Sequence, residues 1–328
     1  MVAGFLCAAG VLMSGAAFAL GGFRLNAFSV GETAEEKTYD ASSAAEGLER
    51  VVLDVRDQPV EVAISADNRV HIRYWEDEHD TYTITEEGGS LSLVHTNKPE
   101  YFSWLTEGFF SNFADIGRKV VLELPAAYAG ALQIKTTNGS VRIEGFRALA
   151  ECSLKTTNGS IRAADLGVAA FTAETTNASL TVSGLDADSA RMRSTNGSLL
   201  AENVRLSGSL DADTSNASLT VRDTACGELD ANTTNGGLRL EAVTTTGRAQ
   251  AGTTNSGIKL EALSSPDIRL SSTNGSIRGT VVGDIRDYAI SSHTTNGDNN
   301  LPDTAAYDLP NKLSASTTNS SIDIRFVA

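Results

Sequence analysis

Asp211, Asp213 and Asp230 are the residues best placed in this sequence for acid–base chemistry. Carboxylates two apart on a strand share a face, and glycoside hydrolysis uses a pair of carboxyl groups a few ångströms apart. Arg191 and Arg193 stand about twenty residues earlier at matching positions, however, so ion pairing between neighbouring strands accounts for the aspartates and no catalytic residue is assigned. The run Glu76-Asp77-Glu78-His79-Asp80 offers oxygen ligands and an imidazole. It lacks the glycine and the ligand spacing of a calcium loop and separates two strand-like runs, so it reads as a charged hairpin loop with no metal. His71, His79, His95 and His293 form no H-E-x-x-H, and Cys7, Cys152 and Cys226 form no C-x-x-C. Those absences remove the common zinc-hydrolase signature, a zinc ribbon, a thioredoxin-type motif and a disulfide framework, and no cofactor is expected.

Two groups suit binding better than catalysis. Lys135 with Lys155, and Arg142 with Arg162, recur at one-repeat spacing and make a small basic patch. Such a patch suits an anionic envelope polymer or lipid headgroups, although Glu144 and Glu174 relieve it. The stretch 101–113 concentrates Phe102, Trp104, Phe109 and Phe110, which make either a contact surface or a cap over the end of a repeat stack. Nucleic acid is excluded as a partner, because 26 Lys and Arg against 41 Asp and Glu leave a net charge of -15.

The element that positions all of these is a repeat. An asparagine, usually in Thr-Thr-Asn-Gly-Ser or a close variant, returns ten times: Asn138, Asn158, Asn177, Asn196, Asn216, Asn235, Asn255, Asn274, Asn296 and Asn319. The spacing of 19 to 23 residues is that of a solenoid, in which each repeat forms one coil. Six residues before each asparagine stand Leu132, Cys152, Phe171, Ala190, Leu210, Leu229, Ala249, Ile268, Ile290 and Leu313, and two later comes a second apolar column from Ile134 to Ala315. The column between them is polar, and that alternation predicts a strand. A second strand follows from Val141, Ile161, Leu180 and their equivalents. A short third side is placed at Phe146, Leu166, Leu185, Val204, Val243, Leu263 and Val282.

The sequence therefore predicts an all-β, single-stranded parallel β-solenoid of about ten coils over 129–328, with right-handed turns as the default for parallel connections. The asparagines are expected inside the corners, on left-handed backbone, stacked amide on amide as a structural ladder. Residues 48–128 read as a β-rich N-terminal part capping the solenoid, and 26–47 as a flexible polar linker. Residues 1–25 hold an uncharged apolar stretch from Val2 to Phe23, suited to a transmembrane anchor or a cleaved signal segment.

The Ala-Phe-Ala-Leu-Gly-Gly run at 17–22, Val-Val-Leu-Glu-Leu-Pro at 120–125 and the repeated Thr-Thr-Asn-Gly-Ser resemble the DUF4097 family of bacterial adhesin-like proteins, over roughly 48–328. The resemblance implies a β-solenoid of the cell envelope, held outside the cytoplasm by a single-pass anchor, and it carries over no catalytic residue. The expected role is a non-catalytic binding or scaffolding module with an envelope polymer or envelope protein as partner. The competing readings are a carbohydrate-active lyase or hydrolase on the same fold and an accessory protein of an envelope-stress signalling system.

Overall fold

The computed structural model describes residues 34–77, 80–97, 118–305 and 307–328. Strands dominate, and among these residues the only helical segments are two 3-10 turns, Ala45–Gly47 and Ile285–Asp287. No helix of the described residues is long and apolar enough to cross a membrane, and the expected anchor at 1–25 lies outside them.

The asparagine repeats wind into a parallel β-solenoid of about nine full turns rather than ten. Nine asparagine coils carry both strands, whereas the Asn296 coil has strand Tyr288–Thr294 and only a single bridge, Asn299 to Ile322, on its second side. Register follows the sequence columns: Leu132 lies beside Cys152, Cys152 beside Phe171 and Phe171 beside Ala190. All of them are buried, in a narrow core whose largest enclosed side chains include Phe146 and Phe171. Neighbouring strands stand about 4.8 Å apart, so each inward column is a continuous apolar stack along the rod.

The third side begins at a bend that the sequence did not disclose. Gly145, Asp165, Gly184, Asn203, Asp223, Ala242 and Ala262 all have positive φ, between 48° and 86°, and occupy one column seven residues after the asparagines. The asparagines themselves do not, so the left-handed corner expected at Asn138 and its equivalents lies elsewhere in the coil. Phe146, Leu166, Leu185, Val204, Val243 and Leu263 fill the space behind this bend as expected. At the next coil Val281 takes that place instead of Val282, because the register shifts at Gly279, whose φ is 138°.

Both ends of the stack depart from chain order. Strand Asn311–Thr317 pairs with Asp267–Ser272 on one side and with Tyr288–Thr294 on the other. The last coil of the chain is thus inserted between two earlier ones. At the other end, Arg50–Asp54 lies between Ser90–Asn97 and Ala131–Lys135, and Val60–Ile64 lies between Val120–Leu124 and Val141–Glu144. Residues 50–64, 90–97 and 120–124 therefore continue the solenoid core, and its coils begin well before residue 129.

Antiparallel strands close the N-terminal end. Asp80–Glu87 pairs with Ser90–Asn97, His71–Glu76 with Val120–Leu124, and Glu35–Asp40 with His71–Glu76. Glu35–Asp40 falls inside the stretch expected to be a flexible linker, and the structure corrects that expectation for this part of 26–47. The two outermost strands are acidic, which suits an edge that must not recruit another chain. They are tied together by Glu86, which accepts from the Tyr39 hydroxyl at 2.6 Å and from the Ser42 and Ser43 amides at 3.0 and 2.6 Å. Bonds from Ser43 and Tyr39 hold the Glu86 carboxyl well below the ordinary carboxylate range, and the contact with Glu86 raises Tyr39 to about 12. The aromatic stretch 101–113, with Phe102, Trp104, Phe109 and Phe110, lies outside the described residues. At the far end, Thr304 takes up the edge of Tyr288–Thr294: its amide donates to the Ile290 carbonyl at 2.8 Å and its hydroxyl accepts from the Ile290 amide at 2.9 Å.

Candidate functional site

The Thr-Thr-Asn corner divides its work among three side chains. The first hydroxyl residue points inward and is buried, as at Thr136, Thr156, Thr175, Ser194, Thr214, Thr233, Thr253, Ser272 and Thr317. Thr156 is typical: its Oγ1 donates to the Gly139 carbonyl of the preceding coil and accepts from the Gly159 amide, both at 3.1 Å. One hydroxyl thereby satisfies two backbone groups that the narrow corner shields from water. The second residue of the motif, such as Thr157, Thr195 or Thr234, faces solvent.

The asparagines form the expected ladder, but on the outside. Each is exposed and donates its side-chain amide to the Oδ1 of the neighbour toward the N-terminal end, at 2.6 to 2.9 Å from Asn158 through Asn274. Asn138 donates in turn to Asp57, which starts the ladder. An aspartate serves only at that end, since a carboxylate accepts and cannot pass a proton on. The inward role assigned to the asparagines belongs to the hydroxyl two residues earlier, because the strand alternation that buries Thr156 turns its neighbours outward.

Beside the ladder runs a shallow groove of about 610 Å³, spanning five coils. One bank carries Lys155, Glu174, Arg193, Asp213 and Asn232, and the other Thr176, Thr195, Ser215 and Thr234. Lys155 bonds Glu174 at 2.9 Å, and Arg193 lies 3.3 Å from Asp211 and 3.4 Å from Asp213. Arg191 also holds Asp211, at 2.9 Å. Burial and the adjacent Asp211 raise the pKa of Asp213. Asp230 accepts from Asn232 at 2.7 Å and from Gln250 at 3.4 Å. The three aspartates singled out by the sequence are thus brought together, and each is engaged by an arginine or amide neighbour. A more open depression of about 590 Å³ lies on the third side, where Arg147 faces Asp165 at 3.5 Å and Asp186 at 3.6 Å.

The basic patch stacks as the spacing required, with Lys155 beside Lys135 and Arg162 beside Arg142. Lys135 is taken by Asp54 at 2.8 Å and Arg142 by Glu144 at 3.0 Å. Asp54 was not foreseen in this role because it belongs to the inserted coil. Among the described residues no three His, Cys, Asp or Glu side chains gather as metal ligands. Cys152 and Cys226 are buried free thiols, pushed up to about 12 and about 11 by burial, and so are poor nucleophiles.

A rod with a hydroxyl-lined interior corner, an external amide ladder and ion-paired outer columns is a β-solenoid whose outer faces are repeated polar surfaces. The Toastrack DUF4097 family profile matches residues 48–215, just over half of the chain, and the chain belongs to that family. Among solved structures it is similar to a candidate adhesin from Bacteroides fragilis, with 11% identity, 90% of this chain and 98% of that one covered, and a TM-score of 0.41. A candidate adhesin from Parabacteroides merdae is similar at 11% identity, with 89% and 96% covered and a TM-score of 0.39. No curated protein matches the sequence.

Proposed function

We propose that the protein is a non-catalytic, adhesin-like binding or scaffolding module of the bacterial cell envelope, displayed outside the cytoplasm on the anchor at 1–25. The observation that carries the reading is the groove between the Lys155–Asn232 bank and the threonine bank. Its threonine bank offers one hydroxyl on each of four successive coils, and the asparagine ladder runs beside it with one exposed side-chain amide per coil, both repeating at about 4.8 Å. Such a surface matches an extended polymer with a regular polar repeat better than a compact substrate, and its affinity would come from many weak contacts. The uncharged N-terminal stretch supports the placement outside the cytoplasm, and membership of the DUF4097 family agrees with the envelope role that the sequence resemblance implies.

The competing enzymatic reading requires a free acid and base, and Arg191 and Arg193 already neutralise Asp211. Binding of the full chain, held in nanodiscs, to purified envelope polysaccharide and peptidoglycan tests the proposal. Replacing Thr176, Thr195 and Thr234 together by Val should weaken retention on one of these polymers. The triple alanine variant of Asp211, Asp213 and Asp230 should leave the polymer chemically unchanged, as the parent does. Release of shortened polymer by the parent and its loss in the triple alanine variant would overturn the reading.

A further inference from the structure

Six of the ten corners carry the dipeptide Asn-Gly: Asn138-Gly139, Asn158-Gly159, Asn196-Gly197, Asn235-Gly236, Asn274-Gly275 and Asn296-Gly297. Asn-Gly is the dipeptide most prone to spontaneous deamidation, because glycine leaves its own amide nitrogen unhindered to attack the asparagine side chain. In five of the six, three hydrogen bonds oppose that attack. The side-chain amide donates to the preceding coil, its Oδ1 accepts from the following coil, and the glycine N–H is held by the buried hydroxyl. That last bond is 3.1 Å for Gly139 and Gly159, 2.9 Å for Gly197, 3.2 Å for Gly236 and 2.9 Å for Gly275.

The sixth corner is different because of the inserted coil. Asn296 ends the stack: it donates to Asn319 at 2.9 Å, and no described residue donates to its Oδ1. Among the described residues nothing accepts from the Gly297 amide, although the corner hydroxyl, Thr294, donates to the Ser320 carbonyl at 2.6 Å as its equivalents donate to theirs. Asn296 and Gly297 are both exposed, whereas Gly139, Gly159, Gly197 and Gly236 are buried.

We propose that Asn296-Gly297 is a self-modification site, a hydrolytic clock set at the C-terminal end of the rod. The deprotonated Gly297 nitrogen attacks Cγ of Asn296, the Cγ–Nδ2 bond breaks and ammonia leaves with the transferred proton, giving a succinimide. Water opens the ring to aspartate or isoaspartate, so the net change is amide plus water to carboxylate plus ammonium, with no redox partner. The product has no N–H to give to Asn319 and sets a negative charge against its carbonyl oxygen. The outermost strand, Tyr288–Thr294, thereby loses one of its corner ties to the Asn311–Thr317 coil, which leaves its pairing with that coil easier to open. The ladder is what keeps the other five corners from the same fate.

The full chain is incubated at mildly alkaline pH, and amide-to-acid conversion at each Asn-Gly is followed by peptide mass spectrometry. Conversion at Asn296 should run at least about tenfold faster than at Asn196 or Asn235, the factor expected when two further hydrogen bonds must open first. In denaturant the six rates should converge, and there Gly297→Ala should suppress conversion at Asn296. Equal native rates at Asn296 and Asn235 would overturn the proposal. So would a tenfold advantage of Asn296 that persists in denaturant, since local sequence and not the ladder would then explain it. Asn296→Asp should accelerate amide exchange across Tyr288–Thr294 while leaving Glu228–Thr233 unchanged, and parental exchange in that variant would sink the proposed consequence.

Discussion

Asn319 donates its side-chain amide to Asn274 at 2.7 Å, across 45 residues of sequence and past the Asn296 coil that lies between them in the chain. Asn296 then donates to Asn319, so the spatial order is 274, 319, 296. The residue after each asparagine carries the same order. From Gly159 along the stack it runs Gly, Ala178, Gly197, Ala217, Gly236, Ser256, Gly275, Ser320, Gly297, a strict alternation that chain order would break at the end. A Cβ at Gly197, Gly236, Gly275 or Gly297 would overlap the carbonyl oxygen of Ala178, Ala217, Ser256 or Ser320 respectively. Corners packed against a neighbour's backbone thus alternate with corners that leave room for a side chain.

Asn319, though last in the sequence, sits between two ladder partners and should behave as a central residue. Asn319→Ala removes two amide bonds and should cost about 1–2 kcal/mol, comparable with Asn216→Ala, while Asn296→Ala removes one and costs less. Amide exchange of Asn311–Thr317 and Ser209–Thr214 measures the local loss. A smaller effect at Asn319 than at Asn296 would show that chain order, not insertion, sets the ladder.

Adjacent threonines in one motif should respond oppositely. Thr156→Val keeps the shape but strands the Gly139 carbonyl and the Gly159 amide, a loss of about 2 kcal/mol or more. Thr157→Val changes an exposed side chain and should stay within about 0.5 kcal/mol. Urea denaturation of the two variants checks the difference.

The corner alternation predicts an asymmetry between glycine and alanine. Gly236→Ala drives a methyl into the Ala217 carbonyl and should destabilise by about 3 kcal/mol, whereas Ala217→Gly creates no overlap and should cost about 1 kcal/mol or less. Comparable midpoints for the two would refute the packing argument.

Ala242 has a φ of 48° and is exposed, in a column where Asn203 and Gly184 occupy equivalent places. Asparagine tolerates that backbone better than alanine without making the unfolded chain more flexible, so Ala242→Asn should raise stability by about 0.5–1 kcal/mol. A rise in thermal midpoint is the expected readout.

His71 links the outermost strand to the stack: its ring nitrogens lie 2.6 Å from Asp40 and 2.9 Å from Asp67. Bonds to Asp67 and Asp40 raise its pKa above 6.5, so this tie is fully present below that value and is lost as pH rises through the folded pKa. Asp67 is lowered by the same bond from 3.8, so its share is lost only in acid, as pH falls through its folded value. Exchange in Glu35–Asp40, corrected for intrinsic rates, should therefore accelerate from weakly acidic to weakly alkaline pH, and His71→Gln should flatten the dependence.

Period and alternation by themselves determined the solenoid, its coil length, the inward columns from Leu132 to Leu313 and the existence of an asparagine ladder, because burial of one face imposes a period of two on every strand. The pairing of Asp211 with Arg191 and of Lys155 with Glu174 was legible for the same reason: equal offsets in successive repeats become neighbours. Which side of the corner the asparagines take, where the left-handed bend falls, and that Asp57, Asp54 and Asn319 belong to inserted coils were decided only in three dimensions. Those features depend on which carbonyl lies one strand spacing away, and a chain that skips over a coil at each end changes that neighbour without changing its local pattern.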